Sequence, residues 1–124
     1  MTEEQKNLLL KDLCARLPYG VKFNFKYGEF SSEIMRAIYL QNYVIISSKD
    51  NSCEINDIKP YLFPMSSMTE EQKEEHKDLL DNQYSFDAND NVFTLYDFYC
   101  KYHIDYRGLI PMGLAIDCTN LNIY

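Results

Sequence analysis

The stretch Val21-Lys22-Phe23-Asn24-Phe25-Lys26-Tyr27 decides the fold class, because its apolar residues alternate with polar ones. This period of two is typical of a β-strand with one buried face. Residues 33–40, 43–46 and 53–55 also resemble strands. The pattern of 33–40 fits a helical face too, but we favour a strand because 43–46 follows after only two polar residues, as in a hairpin. The sequence therefore predicts a small antiparallel sheet of three or four strands, either a meander or a partly closed barrel.

A helix is predicted before this sheet. Thr2 and Gln5 match a capping box, in which the two side chains bond to each other's backbone N–H groups at a helix start. Pro18 disfavours the helical conformation of the residue before it and so ends the helix. An apolar stripe with helical spacing lies between these signals, at Leu10, Leu13, Cys14 and Leu17.

The segment IKPYLFPMSSM, residues 58–68, is predicted to be a rigid connection on the surface. Pro60 and Pro64 lack the backbone N–H that a regular element would use. We therefore expect no helix or strand in this segment.

The residues after this connection predict two further helices. Thr69 and Gln72 match a second capping box, which opens a helix to about Asp81. Residues 87–91 are polar and predict a loop. An aromatic-rich third helix is expected over residues 93–103, buried on more than one face.

These elements predict one α+β domain over residues 1–124. Residues 1–57 supply a helix and the antiparallel sheet, and residues 58–124 form a mainly helical half. A chain of 124 residues buries about two-thirds of its unfolded surface, which is enough for a core of its own. Its composition, 46% apolar and 25% charged, is that of an ordinary globular domain.

The negative charge is concentrated in the second half. Lys and Arg number 12 against 19 Asp and Glu, a net charge of −7, which argues against a protein that neutralises nucleic-acid phosphates. Residues 1–62 are balanced, so the excess lies in residues 63–124. A solvated helix face explains it most simply, and a surface that docks a basic protein is the alternative. The acidic residues of the second predicted helix are Glu70, Glu71, Glu74, Glu75, Asp78 and Asp81.

Four tyrosines recur at steps of three and four residues and would share one side of the third helix if that helix extends far enough. Two interpretations stay open: core packing with hydroxyls at the surface, or a protein interface, where tyrosine is enriched. A nucleic-acid stacking platform would need more basic neighbours than this segment has. The residues are Tyr96, Tyr99, Tyr102 and Tyr106.

No residue pattern predicts a metal site. Cys100-x-x-His103, with Asp105 and Cys118, offers one paired spacing where a structural zinc site normally has two. We expect these side chains to line the core. Residues 87–91 place Asp and Asn at calcium-loop positions, but valine and phenylalanine replace the required Gly and Glu.

No pattern predicts catalysis either. The sequence has no GxSxG, phosphate-binding loop, GxGxxG or HExxH motif. His76 lies among charged residues and is expected to be solvated, and His103 is expected to be a partly buried histidine without a nucleophile to activate. We therefore predict no catalytic residues, no cofactor and no enzymatic activity.

The sequence favours a cytosolic location. Its first residues lack the basic and apolar regions of a secretory signal, and no apolar stretch approaches the ~20 residues that span a bilayer. The four cysteines are scattered, as expected for thiols in a reducing compartment.

Three segments carry a resemblance: LPYGV at 17–21, IKPYLFPMSSMTEEQ at 58–72 and DYRGLIPMGLAI at 105–116. They resemble, in the same order, a family of short proteins from gut anaerobic bacteria and their phages or mobile elements. The resemblance implies a bacterial, intracellular, phage-related setting, and it supplies no activity, site residue or fold.

The sequence thus predicts a non-enzymatic cytosolic interaction protein, acting as an accessory factor of a phage or mobile element on the strength of the resemblance. The acidic 70–81 helix, the 58–68 connection and the tyrosine-rich surface are its candidate interaction regions. A homodimer is the simplest assembly, with no direct contact to nucleic acid or membrane. An acidic inhibitor or nucleic-acid mimic that binds a basic protein is the alternative, and a small enzyme comes third.

Overall fold

The computed structural model describes residues 1–25, 32–86 and 92–124, and it has the α+β architecture that the sequence predicts. In these residues the α-helices are α1 (Glu3–Arg16), α2 (Glu70–Asn82) and α3 (Leu95–Lys101). The strands are β1 (Lys22–Phe25), β2 (Glu33–Tyr39), β3 (Val44–Ser47), β4 (Ser52–Glu54), β5 (Ile58–Pro64), β6 (Tyr84–Phe86), β7 (Val92–Thr94), β8 (Ile104–Asp105) and β9 (Ile116–Asp117).

The strands form one mixed sheet and a separate two-stranded ribbon. Strands β1 to β4 follow one another as an antiparallel meander, which confirms the strand predicted over 33–40. The sheet continues in the order β4-β3-β2-β1-β5-β8, and β9 also pairs with β5. It has seven strands rather than three or four, because β5, β8 and β9 come from the half that was predicted to be mainly helical. The ribbon, β6 with β7, also belongs to that half.

The prediction for residues 58–68 is wrong, because residues 58–64 are β5, which joins the two halves of the sheet. Its first half runs antiparallel to β1, and its second half pairs in parallel with β8 and β9. The strand forms despite its prolines because it buries the apolar side chains of Ile58, Tyr61 and Leu62. Only residues 65–68 of this segment lie outside the sheet, and 65–67 form a short 3-10 turn.

The sheet accommodates Pro60 because of the position it occupies opposite Phe23. Opposed residues in an antiparallel ladder alternate between hydrogen-bonded and non-hydrogen-bonded pairs. The next pair in this register is Lys22 with Tyr61. The Lys22 N–H donates to the Tyr124 hydroxyl, and this hydroxyl donates to the Tyr61 C=O, so the backbone groups of this pair face each other. Pro60 therefore lies in a non-hydrogen-bonded pair, where its missing backbone N–H costs no hydrogen bond to β1.

The third helix is shorter than the predicted 93–103. Thr94 and Asp97 form a capping box, in which the Thr94 hydroxyl accepts from the Asp97 N–H and the Asp97 carboxylate accepts from the Thr94 N–H. This cap fixes the helix start at Leu95 and leaves residues 92–94 free to form β7. The capping boxes predicted at Thr2 and Thr69 are confirmed.

The buried side chains form two clusters. The larger one lies between α1 and the sheet, and its fully buried members include Leu9, Leu13, Val21, Phe23, Ile45, Ile58, Leu62 and Leu109. The smaller one lies between α2, α3 and β8, and contains Leu79, Phe98, Tyr99 and Ile104.

The buried face of α1 differs from the predicted apolar stripe. Leu13 is fully buried, and Leu10 and Leu17 are half-buried and pack against the core, whereas Cys14 is exposed, so the predicted stripe is confirmed only in part. The buried face is shifted because it contains two charged residues. A prediction based on the spacing of apolar residues does not include them. The buried residues of α1 are Leu9, Asp12, Leu13 and Arg16.

A buried ion network ties α1 to the end of the sheet. The Nε of Arg16 lies 2.7 Å from one carboxylate oxygen of Asp12, and the Nε of Arg107 lies 3.1 Å from the other. Arg16 also donates from Nη2 to the backbone oxygen of Ile104 in β8, at 2.6 Å. The ring of Tyr106 lies near both guanidinium groups, at 5.5 and 4.8 Å from its centroid.

The turn that carries Arg107 is itself held by a buried carboxylate. Asp105 accepts hydrogen bonds from the backbone N–H groups of Leu109 and Ile110, each at 2.9 Å. Gly108, at a φ of +76°, supplies the left-handed conformation that a side chain would strain. The segment DYRGLI thus forms a fixed loop that places Arg107 against Asp12.

The last described residue, Tyr124, closes the gap where β1 and β5 separate. Its hydroxyl accepts from the Lys22 N–H at 2.8 Å and donates to the Tyr61 oxygen at 2.9 Å. Its ring stacks on His103, with the centroids 3.7 Å apart and the planes 10° from parallel. Burial of the His103 ring, with Arg16 and Lys22 nearby, lowers its pKa from 6.5 to about 4.

Asp12→Ala is expected to lower the free energy of unfolding by about 3–5 kcal/mol, because it leaves the fully buried Arg16 without its carboxylate. Urea denaturation measures the change. Glu3→Ala is the control, since it removes an exposed partner of Lys6 at 3.5 Å and should cost less than about 1 kcal/mol. Equal, small losses in both variants would contradict a structural role for the network.

The stability of the protein is expected to fall as the pH drops from about 6.5 towards 4. In this window the unfolded chain binds a proton at His103 and the folded chain does not, so acidification favours unfolding. His103→Asn removes the titrating ring, and asparagine tolerates the φ of +57° at this position. Thermal melts between about pH 7 and pH 5 should show a shallower pH dependence for the variant. Parallel curves would rule out His103 as the source.

Candidate interaction surface

Helix α2 carries the acidic residues that the sequence singled out. Glu70, Glu71, Glu74, Asp78 and Asp81 are exposed, whereas Glu75 is half-buried. The first-turn carboxylates lie at the positive end of the helix dipole, which favours them. Within the described residues the single ion pair of this helix joins Glu70 to Lys73, at 3.2 Å. No other carboxylate of α2 lies within ion-pair distance of a basic side chain in that part of the chain.

Polar and aromatic contacts attach α2 to α3. The Tyr102 hydroxyl donates to Oε2 of Glu75 at 2.9 Å, and Nε2 of His76 lies 2.8 Å from the Tyr99 hydroxyl. The His76 ring also stacks on Phe98, with centroids 5.6 Å apart. His76 is thus packed against α3, and the prediction of a solvated histidine is wrong.

The four tyrosines do not share one helix face, because α3 ends at Lys101 and β8 separates Tyr102 from Tyr106. Tyr96 is exposed, Tyr102 and Tyr106 are half-buried, and Tyr99 is buried and stacks on Tyr106 at 4.8 Å. Burial raises the pKa of the Tyr99 phenol. Tyr99 is therefore a core residue, and of the four only Tyr96 presents most of its side chain to solvent.

The β6–β7 ribbon presents an apolar face that the sequence analysis did not identify. Its cross-strand pairs are Tyr84 with Thr94, Ser85 with Phe93, and Phe86 with Val92. Because side chains alternate across a strand, Tyr84, Phe86 and Val92 share one face. Their exposed fractions are 52%, 61% and 57%. The predicted loop over 87–91 lies outside the described residues, and strands of three residues are too short to be predicted from alternation alone.

Two cavities join this ribbon to the helices. One, of about 360 Å³, is lined by Tyr19, Glu75, Ser85, Phe86, Phe93 and Lys101. The other, of about 200 Å³, is lined by Glu75, Asp78, Leu79, Asn82, Tyr84 and Ser85. Glu75 and Ser85 belong to both, so the acidic helix and the ribbon form one continuous area. We call it the ribbon–helix surface and define it by Glu75, Asp78, Tyr84, Phe86 and Val92.

The cysteine and histidine residues considered for chemistry are separated by their environments. Cys100 and Cys118 are buried, and burial raises the pKa of both thiols, that of Cys118 to about 11. The Asp105 carboxylate already accepts two backbone hydrogen bonds, and His103 is stacked on Tyr124. In residues 1–25, 32–86 and 92–124, no three His, Cys, Asp or Glu side chains are grouped so as to hold a metal ion.

Comparisons with protein-family models, with curated proteins and with solved structures gave no match to this chain. Among the described helices, none combines the length and the apolar character needed to cross a membrane.

Two adjacent leucines of α2 are expected to respond very differently to truncation. Leu79→Ala should lower the free energy of unfolding by about 2–5 kcal/mol, because Leu79 is 3% exposed and packs in the smaller cluster. Leu80→Ala should change it by less than about 0.5 kcal/mol, because Leu80 is 56% exposed. Chemical denaturation of both variants tests the orientation of α2, and a reversed order would contradict it.

Proposed function

We propose that this protein is a non-enzymatic cytosolic interaction module, which binds a basic protein partner through the ribbon–helix surface. The observation that carries the proposal is the exposure of Tyr84, Phe86 and Val92 next to Glu75 and Asp78 of α2, which form no ion pair among the described residues. An accessory role in a phage or mobile element is part of the proposal, and it rests on the sequence resemblance alone.

The apolar part of the surface supports a protein partner. Isolated apolar residues on a surface are ordinary, whereas contiguous exposed apolar side chains are a feature of interaction sites. Here the group contains two aromatic side chains, whose rings lie 5.7 Å apart in an edge-to-face arrangement. Aromatic residues are enriched in protein interfaces and provide much of their binding energy.

The charge of the surface supports a basic partner. Glu75 and Asp78 lie one turn apart on α2, and Asp78 has no basic partner in the described ranges. Charge complementarity speeds association and selects among partners. A second copy of the chain would bring the same carboxylates to the interface, so the proposal does not place a symmetric dimer on this surface.

A second candidate is an acidic inhibitor that imitates nucleic acid. The exposed carboxylates along α2 favour it, because they supply a line of negative charge without the ribbon. The two candidates differ in their salt dependence. Binding through surface charges alone weakens strongly as salt screens them, whereas binding that also buries the ribbon persists.

The test is capture of a partner from a host lysate with immobilised wild-type protein and two double variants. Phe86→Ser with Val92→Ser removes the apolar ribbon face. Tyr39→Ser with Leu40→Ser is the matched control, since these residues are 59% and 58% exposed at the end of β2. We expect a partner that the wild type and the control retain in moderate salt and the ribbon variant loses.

Other results would overturn the proposal in distinct ways. Retention by the ribbon variant, with full release by moderate salt, would favour the acidic inhibitor. Loss of the partner by the control variant alone would move the interface to the end of β2. Circular dichroism of all three proteins verifies that each is folded.

A further inference from the structure

The smaller cavity of the ribbon–helix surface has the composition of a site for a cationic side chain. Two acidic residues, Glu75 and Asp78, line it together with Asn82 and Tyr84. Its lining contains no lysine or arginine, whereas Lys101 lines the larger cavity. The Lys101 ammonium lies over the rings of Phe93 and Tyr102, at 5.6 and 5.0 Å from their centroids.

The hydrogen-bond acceptors of the residues that line this cavity are held in place, but some of them have no donor among the described residues. Oε2 of Glu75 accepts from the Tyr102 hydroxyl at 2.9 Å, which holds the carboxylate in place and leaves Oε1 without a donor among the described residues. Nδ2 of Asn82 donates to the backbone oxygen of Asp78 at 2.9 Å, so the amide oxygen of Asn82 remains an acceptor. The Asp78 carboxylate has no ion-pair partner in the same part of the chain.

The lining favours arginine over lysine. A guanidinium group has five N–H donors in one plane, and it bonds to carboxylates while stacking on an aromatic ring. The cavity is lined by two acidic residues, an asparagine and the half-exposed Tyr84, which together supply carboxylate and amide acceptors and an aromatic ring. An ammonium group is a compact, strongly hydrated charge that gains less from a planar arrangement.

We propose that the cavity between α2 and β6 receives an arginine side chain of the basic partner, with its guanidinium between Glu75, Asp78 and the Tyr84 ring. This inference deepens the proposed function and rests on it for the source of the arginine. It assigns a role to Glu75 and Asp78 that a diffuse acidic surface would not require.

The test is an NMR titration of the isotope-labelled full chain with synthetic hexa-arginine and hexa-lysine peptides at low ionic strength. We expect hexa-arginine to bind more tightly, with the largest shifts at Glu75, Asp78, Asn82 and Tyr84. Glu75→Gln with Asp78→Asn should weaken hexa-arginine binding by about tenfold or more, because charge-assisted hydrogen bonds are lost. Glutamine still accepts from Tyr102, so the helix contact is preserved.

The matched control is Glu74→Gln with Asp81→Asn, which removes the same charge from the same helix outside the cavity lining. It should weaken binding by no more than about twofold to threefold. Tyr84→Leu should reduce the preference for arginine over lysine by about twofold to fivefold, because the ring that stacks on the guanidinium is removed.

Equal weakening in the two charge variants, or equal affinity for both peptides, would overturn the arginine site and leave the proposed function standing. Absence of hexa-arginine binding would also overturn the site. A different pair of results would support the site and overturn the proposed function. These results are specific binding of hexa-arginine, and capture of the same lysate partner by the ribbon variant as by the wild type.

Discussion

The buried network of Asp12, Arg16 and Arg107 is the constraint on which the arrangement of the chain depends. It joins a residue pair from α1 to the loop after β8, although 95 positions separate Asp12 from Arg107. A buried charge without its partner is strongly unfavourable, so each member requires the others to be in place. The network therefore fixes how the helical layer meets the parallel end of the sheet, and with it the position of α3 and the smaller core.

Much of the first half was predictable because its patterns are local. The alternation in 21–27 and the hairpin spacing after residue 40 are properties of adjacent residues, and they led to β1, β2 and β3. The capping boxes at Thr2 and Thr69 are equally local. The buried face of α1 was not predictable from apolar spacing, because Asp12 and Arg16 are stabilised there by partners that lie far away in the sequence.

The second half was harder to predict because long-range contacts override local preferences. Pro60 and Pro64 argue against a strand, yet β5 forms because its apolar residues are buried. The pair of Pro60 with Phe23 is not hydrogen-bonded, so it does not require a backbone N–H from proline. Of the candidate interaction residues, the α2 carboxylates were identified from composition. The ribbon was missed because strands of three residues carry little pattern. For Tyr99 the structure favours core packing, one of the two interpretations that the sequence left open.

The hydroxyl of Tyr124 has a consequence for the order in which the molecule is completed. Lys22, Tyr61 and His103 all contact this one residue, which follows every strand of the sheet in the chain. Until Tyr124 is in place, the ladder between β1 and β5 stays open at its end. Closing it joins Lys22 to a residue 102 positions away in the chain. Such distant contacts are entropically costly and form late. A chain in which this contact has not yet formed therefore leaves the end of the β1–β5 ladder open.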